Sequence, residues 1–192
     1  MTEARRHTDT KARIQEVALE LFAQQGYEKT SLREIAERLG VTKAALYYHF
    51  RTKEDIVASM FDDLMAQIDE IIEWGRQRLG DAEVLDLADR EEIVRRYSAV
   101  LTGTGLALIQ FVERNQSAVR DLRDSSALIG RFRQLSALLT DHAAPLTTRL
   151  KNSMALGMLH VGYFGPLELN ATVDERRAAA LQVAFEMLSG KS

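Results

Sequence analysis

A helical repeat of apolar residues runs through almost the whole 192-residue chain, and the alternating pattern of a β-strand is nearly absent. In the first segment the repeat consists of Ile14, Val17, Ala18, Leu21 and Phe22, whose spacing places them on one face of a helix. Only two prolines and eleven glycines interrupt the chain. A fold of many short strands joined by tight turns is therefore disfavoured, and the sequence predicts an all-α protein with long helices.

The composition is that of a soluble globular protein, with 46% apolar and 28% charged residues and no cysteine. The absence of cysteine excludes a disulfide framework, a thiolate nucleophile and cysteine-ligated metal sites. Met1–Thr10 has no apolar segment of a secretory signal, and the apolar runs Thr104–Val112 and Met154–Leu167 are shorter than a membrane span. We expect a cytoplasmic protein without a membrane partner.

The two ends of the chain differ in charge. Residues 1–53 contain ten Lys or Arg against seven Asp or Glu, whereas residues 54–192 contain fifteen against twenty-one. A basic first part and an acidic second part favour a chain whose N-terminal region meets a polyanion.

The first three predicted helices are short and closely spaced. Asp9 or Thr10 is the predicted N-cap of the first, and Gly26 is its predicted end. Ser31 with Glu34 forms the pattern of a capping box at the start of the second. After a turn at Gly40, a third helix is predicted from an N-cap at Thr42 to about His49.

The remaining chain is predicted to add longer helices, for a total of about nine. The fourth extends from Lys53 to about Arg78, and the acidic, glycine-led residues 80–91 form a predicted connection. A Thr172–Glu175 capping box opens the last helix. The later helices are predicted at 92–102, 105–116, 121–142, 147–163 and 173–189. These elements divide into a first domain, residues 1–52, and a second helical domain, residues 53–192.

The segment from Thr30 to Lys53 carries the spacing of a helix-turn-helix. A small residue, Ala36, allows the second helix to cross closely, and Gly40 takes a left-handed turn at little cost. The positions that must be apolar to fix the crossing angle are Ile35, Leu39, Val41 and Leu46. The sequence therefore predicts that the second helix of this motif enters the major groove of DNA.

The residue types of that helix suit contacts with a duplex. Lys43 can reach a phosphate or a guanine edge, and the methyl group of Ala44 can touch a thymine methyl group. Hydroxyl and imidazole groups can donate to phosphates, which positions the helix without specifying sequence. The predicted DNA-binding residues are Thr30, Ser31, Arg33, Thr42, Lys43, Ala44, Tyr47, Tyr48, His49 and Lys53.

The same segment resembles the DNA-binding domain of tetracycline-repressor (TetR) type transcriptional regulators. The resemblance covers about the first 60 residues and rests on Thr30-Ser31, Ile35-Ala36, Gly40-Val41, Leu46-Tyr47-Tyr48-His49-Phe50 and Lys53. The chain departs from the family at Ala44-Ala45, where many relatives have Gly followed by Thr, Ser or Asn. The missing polar group reduces the capacity of this helix for direct base readout.

The resemblance implies an all-helical homodimeric repressor that binds a palindromic operator and is released by a small-molecule effector. It implies that the last two helices form the dimer interface, for which the candidates are Leu146, Leu150, Met154, Gly157, Met158, Val161, Leu181, Phe185 and Leu188. It also implies a pocket among the middle helices. The pocket candidates are Trp74, Tyr97, Thr104, Gln110, Asn115, His142, Asn152, His160 and Tyr163. Without a dominant charge cluster among them, we expect a mostly lipophilic effector and no cofactor.

Two other classes of protein remain as alternatives. An enzyme is disfavoured because the four histidines lack metal-ligand spacing and the glycine-rich run at 102–105 follows no strand and lacks a P-loop lysine. A helical interaction protein with a vestigial helix-turn-helix is disfavoured because it has no need of Lys43 and Tyr47-Tyr48-His49. Either alternative predicts no salt-sensitive affinity for DNA.

Overall fold

The computed structural model of the chain describes residues 3–102, 104–115, 125–164 and 170–190. Within these ranges every regular element is a helix, as the apolar repeat predicts. The nine helices are α1 (Glu3–Gln25), α2 (Leu32–Leu39), α3 (Lys43–His49), α4 (Lys53–Leu79), α5 (Leu87–Val100), α6 (Thr104–Arg114), α7 (Ser125–Leu139), α8 (Leu146–Phe164) and α9 (Val173–Ser189).

The described residues form two compact units. Those of the first unit fall within Met1–Leu64 and Thr104–Asp124, and those of the second within Met65–Gly103 and Ser125–Ser192. The domain boundary predicted after residue 52 lies inside the first unit, because the beginning of α4 and the whole of α6 pack with the N-terminal helices. A functional division at residue 52 stays a prediction.

The first unit has a core of aliphatic residues and an aromatic cluster. The aliphatic side chains of Ile35, Leu46 and Ile56 are fully buried in it. The ring of Phe111, on α6, lies 5.2 Å from the ring of Phe22 and 5.4 Å from the ring of Tyr27, measured between centroids. Helix α6 is therefore part of this core, although about forty residues of the sequence separate it from the rest of the unit, which ends at Leu64.

A polar cluster joins α1 to α4 inside the first unit. The amide of Gln15, which is buried, donates to the hydroxyl of Ser59 at 3.0 Å and to the carboxylate of Asp63 at 2.7 Å. The ammonium group of Lys11 pairs with the same carboxylate at 2.6 Å. Buried polar groups are costly unless they are hydrogen-bonded, so this cluster fixes the rotation of α4 against α1.

The second unit is built from α5, α7, α8, α9 and the rest of α4. Its centre contains the fully buried side chains of Ile93, Leu135, Leu139, Leu156 and Leu159. Helices α8 and α9 pack closely at Gly162, where an added Cβ would overlap the Cβ of Ala180. This contact explains why a residue without a side chain occupies a buried position of α8.

Polar side chains also connect α4 to α7 in the second unit. The guanidinium of Arg131 donates two hydrogen bonds to the carboxylate of Asp69, at 2.8 and 2.7 Å. Further along, Arg76 donates to the amide oxygen of Gln134 at 2.7 Å. Two parallel bonds to one carboxylate fix geometry as well as distance, so the C-terminal half of α4 is held in a defined register on α7.

Several predicted boundaries are wrong, and each error has a local cause. Helix α1 begins at Glu3 rather than after a cap at Asp9 or Thr10, since no Pro or Gly stops it there. Helix α5 begins at Leu87, inside the predicted connection, because Asp86 caps it by accepting from the backbone N–H of Asp89.

The predicted helix at 121–142 differs from the structure at its end. Helix α7 ends at Leu139, where Asp141 caps the following turn by accepting from the N–H of Ala143. Residues 121–124 of that prediction lie outside the described residues.

Candidate nucleic-acid interface and effector site

The helix-turn-helix is closed by three local features that the sequence predicts. The hydroxyl group of Ser31 accepts from the backbone N–H of Glu34 at 3.2 Å. The backbone N–H of Ser31 donates to the carboxylate of Glu34 at 2.8 Å, which completes the capping box. Gly40 adopts a left-handed conformation with φ of 70°, which L side chains rarely take. Thr42 accepts from the N–H of Ala45 at 3.1 Å and so caps α3. The capping box fixes where α2 begins, the conformation of Gly40 ends that helix, and the cap at Thr42 fixes where α3 begins.

Helix α3 is anchored by one side chain and exposes most of the others. Leu46 is fully buried, whereas Lys43, Ala44 and Ala45 are exposed. Tyr48 is 78% exposed, an unusual position for a large aromatic ring. An exposed face of this composition is available for contact with another molecule.

The exposed face of α3 suits an anion. The helix contains no acidic residue, and the ammonium group of Lys43 lies 5.3 Å from the centroid of the Tyr47 ring. The ring of Tyr48 meets the ring of His49 edge to face at 5.4 Å. The structure therefore presents one cation, two phenols and one imidazole on a single helix of seven residues.

The predicted DNA-binding residues outside α3 have defined partners within the chain. Thr30 is only 2% exposed, and its hydroxyl donates to the carbonyl of Gly26 at 2.8 Å. Arg33 is exposed and pairs with Glu37 at 2.7 Å. Ser31 holds the capping box, and its hydroxyl group donates to the Glu34 carboxylate, which keeps the pKa of that carboxyl below its usual value.

Lys53 has an internal role that sequence reasoning missed. Its Nζ donates to the carbonyl of Tyr27 at 2.6 Å and lies 4.5 Å from the centroid of that ring. The phenol of Tyr27 in turn donates to Glu54 at 2.8 Å, and burial together with this bond raises its pKa. The first turn of α4 is thereby tied to the turn that follows α1. Lys53 and Tyr27 are 26 positions apart in the sequence, so no local sequence pattern predicts this contact.

Two of the predicted pocket residues are brought together in the second unit. The hydroxyl of Tyr97, on α5, lies 2.8 Å from Nε2 of His160, on α8. Burial lowers the pKa of His160, which favours its neutral form. Next to this pair the hydroxyl of Tyr163 lies 2.9 Å from Oγ of Ser98. A short row of polar groups therefore runs between α5 and α8 inside an apolar core.

The other pocket candidates do not join this row. The ring of Trp74 lies between the guanidinium groups of Arg96 and Arg78, at 4.2 and 5.7 Å. Gln110 is exposed, and His142 is exposed in the loop between α7 and α8.

Two further pocket candidates lie at the two ends of α6, in the first unit. The amide of Asn115 donates to the carbonyl of Phe111 at 2.8 Å and so closes the end of this helix. Thr104 begins the same helix, and its side chain lies outside the described part of the chain.

Asn152 is a further buried polar residue of α8. It is 1% exposed, and neither its amide nitrogen nor its amide oxygen has a hydrogen-bond partner among the described residues. Such a group is expensive to bury.

The predicted dimer residues of α8 form an exposed apolar face. Leu146 is 75% exposed, and Leu150, Met154 and Val161 are also exposed. Gly157 lies in the same row, with nothing close to the position of an added Cβ, and Met158 is half-buried beside it. Single exposed apolar residues are ordinary, but a row of them is a candidate contact surface.

The predicted dimer residues of α9 are less accessible. Leu181 and Phe185 are half-buried, and the guanidinium of Arg95 lies 4.8 Å from the centroid of the Phe185 ring. Leu188 is buried within the second unit. The free surface for a partner is therefore mainly on α8.

Comparison with known proteins connects these features to a family. The model of the family described as bacterial regulatory proteins, tetR family, matches residues 14–60. The chain is 30% identical over 132 residues to the fatty acid metabolism regulator protein of Bacillus subtilis, covering 67% of this chain and 65% of that protein. It is 34% identical over 89 residues to the HTH-type transcriptional repressor KstR2 of Rhodococcus jostii, covering 44% of each. The chain thus spans less than two thirds of the length of both relatives.

A solved structure agrees with the fold beyond the matched region. A transcriptional regulator of the TetR/AcrR type from Aquifex aeolicus superposes with a TM-score of 0.63 at 22% identity, covering 90% of this chain and 96% of that one. No helix in the described ranges is both long and apolar enough to cross a membrane.

Proposed function

Because the chain belongs to the TetR family of bacterial regulatory proteins, we propose that it is a homodimeric repressor. It binds a palindromic operator through α3, and a small, mostly lipophilic effector bound in its C-terminal helical part releases it. Its relatives are regulators, a class without enzymatic activity. It acts in the cytoplasm, where it meets its operator.

The observation that carries this proposal is the exposed face of α3. A helix that buries only Leu46 and presents Lys43 and Tyr48 to solvent contributes little to its own core. In a helix-turn-helix such a helix lies in the major groove, where the N-terminal residues reach base edges. Lys43, Ala44, Tyr47, Tyr48 and His49 are the proposed contacts of this helix.

The flanking residues have two roles in the proposal. Thr42 and Arg33 are exposed and contact phosphates. Thr30, Ser31 and Lys53 position the motif through the internal bonds described above, and phosphate oxygens meet the N–H groups next to them.

The apolar face of α8 supports the homodimer. Leu146, Leu150, Met154, Gly157 and Val161 recur at steps of three or four residues, which is the spacing of a seam between two packed helices. Met158, Leu181 and Phe185 border the seam, and Leu188 supports it from inside. A two-fold axis through such an interface places the two α3 helices on half-sites about 34–36 Å apart, or a multiple of this distance.

The Tyr97–His160 pair supports an effector site in the second unit. Both groups are neutral at physiological pH, since burial raises the pKa of Tyr97 and lowers that of His160. One polar pair in an apolar core suits a lipophilic molecule with a single polar group. To release DNA, the effector needs to prefer the DNA-incompetent state by about 1–3 kcal/mol.

The first experiment is fluorescence-anisotropy binding of the purified protein to the DNA upstream of its own gene, across a salt series. Tight binding to a palindrome, with an association constant that falls linearly on a logarithmic salt scale, is expected. A folded protein that enriches no sequence from a random-oligonucleotide pool contradicts the DNA-binding proposal.

Lys43→Ala tests the role of α3 directly. If Lys43 contacts a phosphate, its loss weakens binding to all sequences and reduces the salt slope by about one. If it reads a guanine, specificity at one position relaxes instead. Lys151→Ala, which removes an exposed lysine of α8, is the matched control and leaves both quantities unchanged. Unchanged affinity in both variants at low salt refutes both roles of Lys43.

Met154→Asp tests the dimer. A carboxylate in the centre of an apolar seam is strongly unfavourable, so sedimentation velocity is expected to show a folded monomer that no longer binds the palindrome tightly. A variant that stays dimeric at micromolar concentration places the interface elsewhere.

A further inference from the structure

An open groove lies between α7 and α8, next to the loop that joins them. Its volume is about 430 Å³, which is within the range of small-molecule sites. Its apolar lining includes the ring of Phe132 on α7 and the side chains of Leu146 and Leu150 on the first turns of α8. Neither Tyr97 nor His160 lines it, although Phe132 lines the groove and also contacts His160 of the proposed effector pair.

The charges around the groove all have one sign. Arg133 and Arg149 line it, together with the imidazole of His142, and no aspartate or glutamate does. This is unexpected in a chain that has 28 acidic and 25 basic residues. The nearby carboxylate of Asp141 is engaged with the backbone N–H of Ala143 at 2.8 Å and does not belong to the lining.

Arg133 and Arg149 lack the carboxylate partners that Arg131 and Arg177 of the second unit have. Arg131 is bound by Asp69, and Arg177 pairs with Asp174. Among the described residues, neither Arg133 nor Arg149 forms an ion pair, and the buried Nε of Arg149 has no hydrogen-bond partner. A buried donor without a partner is costly, and an anion in the groove removes this cost.

We propose that this groove binds an anionic amphiphile, a molecule with one acidic head group on an unbranched apolar chain. The guanidinium groups of Arg149 and Arg133 hold the head group, since Arg is suited to carboxylate and phosphate oxygens. Phe132, Leu146 and Leu150 contact the apolar chain. Carboxylate, sulfate and phosphate heads share this chemistry.

A second copy of the chain fits the groove less well. Leu146 and Leu150 also belong to the proposed dimer seam, but a two-fold contact brings the same patch of both copies together. Helix α8 contains no acidic residue, so a second copy that meets this face through its own α8 offers no carboxylate to Arg133 and Arg149. An acidic ligand supplies the missing negative charge.

Calorimetric titration of the full chain with three probes of equal chain length tests the head group. The probes are decanoate, decan-1-ol and decyltrimethylammonium, each below its micelle concentration. Decanoate is expected to bind at least tenfold more tightly than the alcohol, and the cation is expected not to bind. Equal affinities for decanoate and the alcohol overturn the proposal.

Variants of the two arginines test the location. Arg149→Gln and Arg133→Gln are each expected to weaken decanoate binding at least fivefold while the affinity for the alcohol stays the same. Lys151→Gln removes a nearby exposed charge on α8 that does not line the groove, and it is expected to bind decanoate like the wild type. Equal losses in all three variants indicate non-specific charge attraction and overturn the proposal. Phe132 is left intact because its ring also packs against His160, 6.0 Å between centroids.

A monomeric variant tests whether a second copy of the chain, rather than a ligand, occupies the groove. Met154 does not line the groove, so Met154→Asp leaves the site in place while it disrupts the proposed seam. Decanoate is expected to bind this variant and the wild type alike. Binding to the variant alone shows that a second copy covers the groove, which overturns the proposal.

Discussion

The segment from Ser31 to His49 and the second unit hold their polar groups in different ways. In the first, hydrogen bonds join residues three positions apart, as in Ser31 with Glu34 and Thr42 with Ala45. In the second, the polar pairs join helices that are far apart in sequence, as in Tyr97 with His160, 63 positions apart. A locally bonded segment keeps its shape when it has few contacts with the core, whereas the second unit depends on the packing of whole helices.

The largest expected effect is at Leu46, the only fully buried side chain of α3. Leu46→Ala is expected to lower the free energy of unfolding by about 2–5 kcal/mol, since it leaves a cavity where α3 meets its neighbours. Urea denaturation followed by circular dichroism measures this. Tyr48→Ala removes a larger but exposed side chain and is expected to change stability by less than about 0.5 kcal/mol. Similar losses in both variants contradict the single-anchor description of α3.

Two glycines of α8 provide the next comparison. Gly162→Ala is expected to cost about 1–3 kcal/mol, because the new methyl group overlaps Ala180 of α9. Gly157→Ala meets no neighbouring atom and is expected to stabilise the chain by about 0.5–1 kcal/mol through the helix propensity of alanine. Thermal unfolding of both variants in the monomeric Met154→Asp background separates this effect from dimer contacts. A stabilising Gly162→Ala indicates that α9 is free to move away.

The pH dependence of stability reports on the Tyr97–His160 pair. Burial lowers the pKa of His160 below 6.5 in the folded chain, so the unfolded chain binds the additional proton as the pH falls below about 6.5. The free energy of unfolding is therefore expected to decrease there, by at most about 1.4 kcal/mol per pH unit. His160→Gln is expected to flatten this region, and His142→Gln, at an exposed site, is expected to leave it unchanged. The same slope in all three proteins contradicts a neutral His160.

The smallest effect separates the two capping boxes. Ser31→Ala and Thr172→Ala each remove one cap and are expected to cost about 1 kcal/mol, as measured by urea denaturation. Their effects on operator binding are expected to differ, because only Ser31 caps a helix of the helix-turn-helix. If Thr172→Ala loses DNA affinity while the protein remains folded, the stability of the second unit affects DNA binding by the recognition segment. This result contradicts the expected difference between the two caps.

The elements that the sequence predicts correctly are those with local causes. The capping box at Ser31, the left-handed turn at Gly40 and the cap at Thr42 each depend on residues within four positions. The apolar repeat predicts the helices themselves, because the same repeat buries one face of each. The start of α5 is the exception, since Asp86 acts as a cap within a stretch that is acidic as a whole.

Contacts between distant residues are what the sequence does not reveal. Lys53 is a free cation in the sequence, yet its ammonium group binds the carbonyl of Tyr27. Polar residues within apolar helices are pocket candidates by sequence. Whether such a residue is buried depends on how the helices pack, so that Tyr97 contacts His160 while Gln110 faces solvent. The groove with Arg133 and Arg149 has no sequence signal, because its residues come from two helices and their loop.

The packing of Phe111 against Phe22 and Tyr27 has a consequence for protein engineering and for recombination among relatives. A gene fusion that joins the first 60 residues of this chain to the remainder of another regulator separates the aromatic partners. In such a hybrid, Phe22 and Tyr27 face the α6 of the other regulator, which was not selected to pack against them. An exchange of DNA-binding regions between relatives therefore needs to include the residue at position 111. The part of the gene to be exchanged consists of two separate segments.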